Sequence, residues 1–239
     1  MKRTFLLCYL TLAAGFISCG QEKTIQDQNV EKRSVSGFHT IRVEDGVDLY
    51  LTQDATEAVA VSASKIEYRD KIKTTVEEGV LRIWFDQKPV NFSWRNRQLR
   101  AYVSVKSLKE LRASGGSDVF IQSGLKGDDL KMTISGGSDF NGNIECQNLE
   151  VSATGGSDTK MSGKVVNLKV SASGGSDFMG YDLVAENVYV SASGGSDARV
   201  TVTKELGVEA SGGSDVDYRG NAIIKYKSSS GGSSVSKRN

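Results

Sequence analysis

Apolar and polar residues alternate along most of the chain after residue 35, with the period of two that is typical of β-strands with one buried face. In the second half, this alternation is cut into nearly equal segments by the turn Ser114-Gly115-Gly116-Ser117-Asp118 and its later copies. The copies are Ser135 to Asp139, Thr154 to Asp158, Ser173 to Asp177, Ser193 to Asp197, Ser211 to Asp215 and, without the aspartate, Ser230 to Ser234. Successive copies lie 18 to 21 residues apart, which indicates a repeat architecture.

Each repeat predicts two strands that face one shared core. Before the turn, the apolar positions become smaller toward the corner, as in Leu168, Val170 and Ala172. After the turn, the first and third positions that follow the aspartate carry a second apolar set. Where the first is phenylalanine the third is glycine, as in Phe178 and Gly180. This compensation is expected if every layer fills a similar interior volume.

The period determines the geometry of the fold. About 20 residues at ~3.3 Å each give a path of ~66 Å, enough for two strands and two corners, while neighbouring strands lie ~4.8 Å apart. The predicted class is therefore all-β: a right-handed parallel β-helix, flattened to two main sheets with about 20 residues per coil and no substantial helix after the signal peptide. An antiparallel propeller or sandwich is the structural alternative, but it does not explain the constant phase of the motif.

The N-terminus predicts export and lipid attachment. Lys2 and Arg3 precede a short apolar run, and Phe16-Ile17-Ser18-Cys19-Gly20 resembles the lipobox of bacterial lipoproteins. We therefore divide the chain into a signal peptide (1–18), a lipidated tether (19–34) that starts at Cys19, and one β-helix domain (35–239). This domain has irregular coils at 35–112, with a loop at 87–100, and repeat coils at 113–234. The predicted location is the cell envelope of a Gram-negative-type bacterium, as an outer-membrane lipoprotein facing the periplasm or the surface; an ordinary signal peptide is the alternative.

Composition limits the classes of function. The 30 basic and 29 acidic side chains give no electrostatic basis for binding nucleic acid. His39 is the single histidine and has no matching nucleophile motif, so neither a histidine-based triad nor a zinc cluster is predicted. Cys146 is expected to be a small buried hydrophobic residue. We predict a protein that is not an enzyme and needs no cofactor.

Two surfaces are candidate ligand sites. Alternation places two columns of hydroxyls on the solvent side of the strands before the turns, and these are Ser152, Thr154, Ser171, Ser173, Ser191 and Ser193. This flat array could contact a glycan, or it could simply suit an exposed sheet. The second candidate is the 87–100 loop, where Trp94, Arg95 and Arg97 could bind an anionic or sugar ligand by stacking and charge. The main prediction is an adhesin-like envelope lipoprotein that binds a surface or a glycan, and the alternative is a structural envelope scaffold whose ligand site is this loop.

The aspartates of the motif are expected to form a column, one per coil: Asp118, Asp139, Asp158, Asp177, Asp197 and Asp215. Carboxylates about one sheet spacing apart repel by about 1 kcal/mol in water, so a compensating interaction is required. We predict that each aspartate accepts backbone N–H bonds within its own turn. The alternative is a column of calcium ions, although the period is about twice that of calcium-binding nonapeptide repeats.

The chain resembles the head GIN domain family of auto-transporter adhesins over roughly residues 35–234. The resemblance rests on Phe38 to Gln53, Val80 to Ile83, and Leu108 to Gly115 before the repeats. Gly46-Val47-Asp48 stands where the family has its namesake Gly-Ile-Asn, with aspartate in place of asparagine. The resemblance implies a right-handed β-helix and adhesion at the cell envelope. Expected partners are the membrane, through the lipid anchor, and a glycan or cell-surface molecule; a homo-oligomer is left open.

Overall fold

The computed structural model describes residues 27, 29–87 and 97–239. The predicted signal peptide, Cys19, Trp94 and Arg95 lie outside these residues. Within them, strands predominate, and one helix occurs, α1 (Ile66–Arg69). None of the described helical segments is long and apolar enough to cross a membrane.

The strands divide into a short N-terminal set and a long repeat set. The first set is β1 (Glu31–Arg33), β2 (Thr40–Val43), β3 (Asp48–Gln53), β4 (Ala58–Ser62), β5 (Ile72–Glu77), β6 (Val80–Phe85), β7 (Arg100–Val105), β8 (Glu110–Ala113) and β9 (Val119–Ile121). The second set is β10 (Leu125–Ser135), β11 (Phe140–Thr154), β12 (Asp158–Gly174), β13 (Asp177–Gly194), β14 (Asp197–Ala210), β15 (Asp215–Arg219), β16 (Ile223–Ser229) and β17 (Ser234–Lys237).

The repeat strands wind as a parallel solenoid. β10 to β14 pair in parallel, each with the next, and the motif positions stay in register: Ala153 lies beside Ala172, and Ala172 beside Ala192. β15 and β16 both continue from β14 in parallel, and β17 pairs with β15. The solenoid has about 7 turns of roughly 19 residues. The predicted parallel β-helix is therefore confirmed.

The first coils are not stacked in chain order. β2 pairs in parallel with both β6 and β8, and β3 pairs with both β7 and β9. The coil formed by β2 and β3 therefore lies between the β6–β7 coil and the β8–β9 coil. As a result, the corner at Gly46 stacks directly against Gly115 and Gly116 of the first repeat.

Antiparallel strands surround the N-terminal end of the solenoid. β1 pairs with β4, β4 pairs with β7, and β5 forms a hairpin with β6. The hairpin turn is Glu78-Gly79, and both residues have positive φ angles (49° and 78°). The His39 ring packs against Gly79. Because β1 begins at Glu31, the folded part starts before Val35, inside the segment predicted to be a tether.

The phenylalanine–glycine compensation is visible in the core. A Cβ atom added at Gly180 would collide with the Phe178 ring and come within 3.0 Å of the Arg199 carbonyl oxygen. A Cβ at Gly142 would collide with Ile121 and lie 3.0 Å from the Phe140 ring. Each glycine therefore leaves the space that a neighbouring large side chain fills, as the sequence predicts.

Thr159 provides a test of this core. It is completely buried between Phe140 and Phe178 of the adjacent coils, and its hydroxyl has no hydrogen-bond partner among the described residues. Because an unpaired buried hydroxyl is costly, Thr159→Val is expected to stabilise the fold by about 1 kcal/mol in urea unfolding. Thr201→Val is the matched control, since the Thr201 hydroxyl donates to the Tyr181 carbonyl at 2.7 Å. A stability gain in the control, or a loss in Thr159→Val, would contradict this account.

The last coil departs from the repeat pattern at the open end of the solenoid. Its register shifts at Lys225, so that Ile224 lies beside Leu206 and Lys227 lies beside Val208. The Lys227 ammonium donates to the Val235 carbonyl at 3.1 Å. Lys227 thus occupies a position that is apolar and faces the core in earlier coils. Its side chain links β16 to β17 through this hydrogen bond.

Candidate functional site

The six predicted hydroxyls form two columns on one face, which we call the hydroxyl face. Parallel register places Ser152, Ser171 and Ser191 side by side in one column and Thr154, Ser173 and Ser193 in the other. All six residues are partly exposed. In the part of the chain that the structure describes, none of their hydroxyls has a hydrogen-bond partner in the protein. They are free to bond to water or to a ligand.

Three asparagines at the start of the same strands form a hydrogen-bonded amide ladder. Asn167 donates to the Asn148 side-chain oxygen at 2.8 Å, and Asn187 donates to that of Asn167 at 2.9 Å. Asn148 in turn donates to Oδ1 of Asp129 at 2.7 Å. Each amide therefore donates to the side chain of the preceding coil, and the last donor in the ladder, Asn148, bonds to a carboxylate.

The amide ladder lies in an axial groove with a volume of about 1030 Å³. The same three registers line the groove in successive coils. The first is Asp129, Asn148, Asn167, Asn187 and Glu205; the second is Leu130, Leu149, Leu168, Val188 and Leu206; the third is Lys131, Glu150, Lys169, Tyr189, Gly207 and Tyr226. The groove was not predicted. The alternating pattern identifies which residues face outward, but it does not show how the second corner bends to make a concave surface.

The corner motif takes two conformations despite its repeated sequence. In the first three copies both glycines have positive φ angles, as at Gly136 (66°) and Gly137 (73°). In the four later described corners only the first glycine does, as at Gly174 (79°). There, Oγ of Ser176 accepts the Ser173 N–H at 3.1 Å and donates to the Ala153 carbonyl at 2.8 Å. The second serine thus closes the turn.

This serine is the buried residue of the motif. It is fully buried in all six copies that end in aspartate, at Ser117, Ser138, Ser157, Ser176, Ser196 and Ser214. The aspartates, by contrast, are partly or fully exposed. This burial agrees with the interpretation of the motif as a corner of the coil. Within the corner, more of the buried hydrogen bonds are made by the second serine than by the aspartate.

The aspartates do form a column, but their hydrogen bonds differ from the prediction. In the described coils, the backbone N–H of Asp139 donates to Oδ1 of Asp118 at 3.1 Å, and that of Asp158 donates to Oδ1 of Asp139 at 3.0 Å. The carboxylates of Asp118 and Asp139 thus accept from the next coil, and the prediction that each aspartate accepts within its own turn is wrong. In later copies, the aspartate N–H donates instead to the carbonyl of the motif's second serine in the preceding coil, as the Asp177 N–H does to Ser157.

The column also has a member that the sequence analysis missed. Asp48 lies beside Asp118, whose N–H donates to Oδ1 of Asp48 at 3.4 Å. Asp45-Gly46-Val47-Asp48 has the same two positive φ angles as the first repeat corners (63° at Asp45 and 74° at Gly46). The sequence signal that could have identified Asp48 is its position, two residues after a glycine and directly before an apolar residue, as in the repeat motif.

Burial and crowding change the acidity of this column. Burial raises the pKa of Asp48 to about 6; the Asp118 N–H and Arg100 oppose this rise, and the Asp118 carboxylate adds to it. Burial also raises the pKa of Asp118, as does the nearby Asp139 carboxylate. The pKa of Asp158 is raised by burial and by its carboxylate neighbours.

Calcium binding by the column stays the alternative to a purely structural role. Within residues 27, 29–87 and 97–239, no group of three or more histidine, cysteine, aspartate or glutamate side chains is arranged to hold a metal ion. Cys146 is buried, as predicted, and burial raises the pKa of its thiol to about 11.

Most of the predicted loop site lies outside the described residues. Of its three candidate side chains, the structure describes Arg97, which is only 9% exposed. Its guanidinium lies over the Phe85 ring, 4.9 Å from the centroid. Arg97 therefore packs against the core and does not line the hydroxyl face or the axial groove.

The coil geometry and the periodic polar face define the chain as a parallel β-helix repeat protein. It belongs to the family described as "Putative auto-transporter adhesin, head GIN domain", whose model matches residues 37–222. A comparison with curated proteins gave no match.

Solved structures share this fold at low sequence identity. A protein described as a putative adhesin from Bacteroides fragilis is 20% identical, with a TM-score of 0.79 over 87% of this chain and 96% of its own. A second putative adhesin, from Parabacteroides merdae, is 18% identical, with a TM-score of 0.66 over 88% and 95%. A Parabacteroides distasonis protein described as a putative lipid binding protein is 18% identical, with a TM-score of 0.61 over 88% and 96%.

Proposed function

We propose that this chain is a non-enzymatic, lipid-anchored adhesin of the bacterial cell envelope that binds a glycan on a surface through its hydroxyl face. The observation that carries the proposal is the set of six partly exposed hydroxyls, repeated at the coil spacing, that have no hydrogen-bond partner within the described part of the chain. Membership of an adhesin-like family supports the adhesive role. The lipid would be attached at Cys19, in the lipobox-like sequence.

A repeated hydroxyl array suits adhesion because its individual contacts are weak and numerous. A hydroxyl both donates and accepts, which matches the hydroxyl groups of sugars. Each such hydrogen bond contributes only about 0.5–1.5 kcal/mol net, so useful affinity requires several at once. Parallel stacking supplies them at intervals of ~4.8 Å without any loop having to become ordered.

The test uses the full-length chain purified from bacterial membranes, with its intact mass recording whether Cys19 carries lipid. Beads coated with the chain are expected to adhere to bacterial or epithelial cells, and periodate oxidation of the cell-surface sugars should reduce this adhesion. Removing one column with Ser152→Ala, Ser171→Ala and Ser191→Ala together should weaken adhesion several-fold.

The matched control is Asn141→Ala with Lys160→Ala, two exposed residues on the strands that follow the corner. It should adhere as the wild type does. Adhesion no greater than that of bare beads would overturn the proposal. An unmodified Cys19 would overturn the lipid anchor alone.

A further inference from the structure

We propose that the axial groove binds an uncharged linear polysaccharide, with the sugar chain lying along the solenoid axis over the amide ladder. This inference rests on the proposed function, because it names the class of glycan that the chain binds. It adds a site that is distinct from the hydroxyl face.

The shape of the groove favours a long ligand. Its three lining registers repeat across five coils, so the groove extends over about 19 Å at ~4.8 Å per interval. A compact small molecule would contact one or two coils and leave the rest of the groove empty. A polymer can repeat the same contact at each coil.

The amide ladder offers both donors and acceptors to such a polymer. Each amide has two N–H donors and an oxygen with two lone pairs. Asn167 uses one N–H and one lone pair within the ladder, toward Asn148 and Asn187. Its second N–H and second lone pair have no described partner. Such alternating donors and acceptors match sugar hydroxyls better than they match phosphate, sulfate or ammonium groups, which only accept or only donate.

The charges along the groove favour a neutral polymer. Among the described lining residues, five lysines are balanced by four carboxylates. Lys169 pairs with Glu150 at 3.2 Å, and Lys225 pairs with Glu205 at 3.1 Å. A strongly anionic or cationic chain would have to compete with these pairs, whereas a neutral chain leaves them in place.

Aromatic rings lie toward the C-terminal end of the groove. Tyr189 and Tyr226 occupy one register, with Gly207 between them. The Tyr189 ring lies close to Gly207, where a Cβ atom would come within 3.1 Å of Cδ2 of the ring, and Tyr226 is 50% exposed. Tyrosine presents an apolar ring face together with a polar hydroxyl, which suits the apolar face and hydroxyl rim of a sugar ring.

The groove and the hydroxyl face belong to the same strands. Glu150 of the groove lies two residues before Ser152, so the two surfaces are separated by roughly 7 Å along the strand. A branched or wide glycan could contact both, but variants can separate their contributions.

The test is affinity electrophoresis of the full chain in gels containing barley β-glucan, xylan or mannan, with polygalacturonate as the anionic comparison. We expect at least one neutral polymer to retard the wild type. The double variant Asn167→Leu with Tyr226→Ala should bind at least ten-fold more weakly. Asn141→Leu, an exposed asparagine outside the groove, is the matched control and should bind normally. Circular dichroism melting identifies any variant that fails to fold, and Tyr226→Ala alone then serves as the second variant.

Several outcomes would overturn the inference. They are no retardation of the folded wild type by any neutral polymer, retardation by polygalacturonate alone, or loss of binding only in the triple serine variant. Self-association in sedimentation that the groove variant abolishes would assign the groove to a second copy of the chain. Periodate-sensitive adhesion without retardation would reject this inference and leave the proposed function standing, whereas the absence of both would reject the two together.

Discussion

Replacing Gly163 with alanine is expected to destabilise the protein by about 3 kcal/mol or more, or to prevent folding. Gly163 has a φ angle of 118°, which an L-residue rarely adopts, and a new Cβ atom would collide with the backbone carbonyl oxygen of Ile144 in the preceding coil. Because Ile144 and Gly163 are paired in the parallel ladder, the clash can be relieved only by separating two coils. Urea unfolding followed by far-UV circular dichroism measures the loss.

Gly156→Ala is the matched control for this prediction. Gly156 also has a positive φ angle (82°), but a Cβ atom there would meet nothing within 4 Å. This variant should therefore lose only about 1 kcal/mol, the cost of the left-handed conformation. Equal losses in the two variants would mean that the close approach of the coils at Gly163 is unimportant.

Replacing Asp48 with asparagine is expected to stabilise the protein by about 1–2 kcal/mol at pH 7.5. The pKa of Asp48 is raised to about 6, chiefly by burial, so the folded state holds the proton more tightly than the unfolded chain does. Stability from this group is therefore fully present below about pH 4 and is lost as the pH rises to about 6. Asparagine removes this loss, and its side-chain oxygen can still accept the Asp118 N–H. The expected gain in unfolding free energy counts 1.36 kcal/mol for each pKa unit and is then reduced, because Asp48 is partly exposed to solvent.

The pH profile distinguishes this mechanism from a general effect of the substitution. The unfolding free energies of Asp48→Asn and the wild type should converge near pH 4 and separate between pH 4 and 6. Asp177→Asn, at the same motif position, is the control, because the N–H of the next coil, that of Asp197, donates to the Ser176 carbonyl and not to the Asp177 carboxylate. This control should change stability little. A gain for Asp48→Asn that is the same at pH 4 and pH 7.5 would exclude the protonation mechanism.

The repeat coils were predictable because their restraints are local and periodic. Spacing of the motif gave the winding, and the pairing of Phe178 with Gly180 showed that one core is shared by two strands. Strands are also present around Ile41, Leu49 and Leu81, where apolar and polar residues alternate in the sequence. Alternation and volume are properties of neighbouring residues, so a single sequence is sufficient to show them.

Features that depend on which coils are neighbours were not predictable in the same way. The β2–β3 coil lies between β6–β7 and β8–β9, which places Asp48 beside Asp118 although 70 residues separate them. No periodicity in the sequence encodes this insertion. Similarly, the acceptor for the Asp139 N–H could not be identified from the motif, because the bond crosses between coils.

The candidate site was only partly predictable for a related reason. The hydroxyl columns follow from strand register, but the axial groove depends on the bend between the two strand segments of each coil. Tyr189 and Tyr226 read as ordinary outward-facing residues in the sequence. Their position along one groove becomes apparent only when the coils are stacked.

The two corner conformations imply that the repeat is free to diversify at particular positions. In the later copies the second glycine does not need a positive φ angle, and a Cβ atom at Gly175 would meet nothing within 4 Å. At Gly195 the nearest atom would be at 3.7 Å, an ordinary contact. New side chains can therefore be introduced at these corners while the solenoid is kept, so this edge of the protein is suited to acquiring new specificities or to carrying engineered labels.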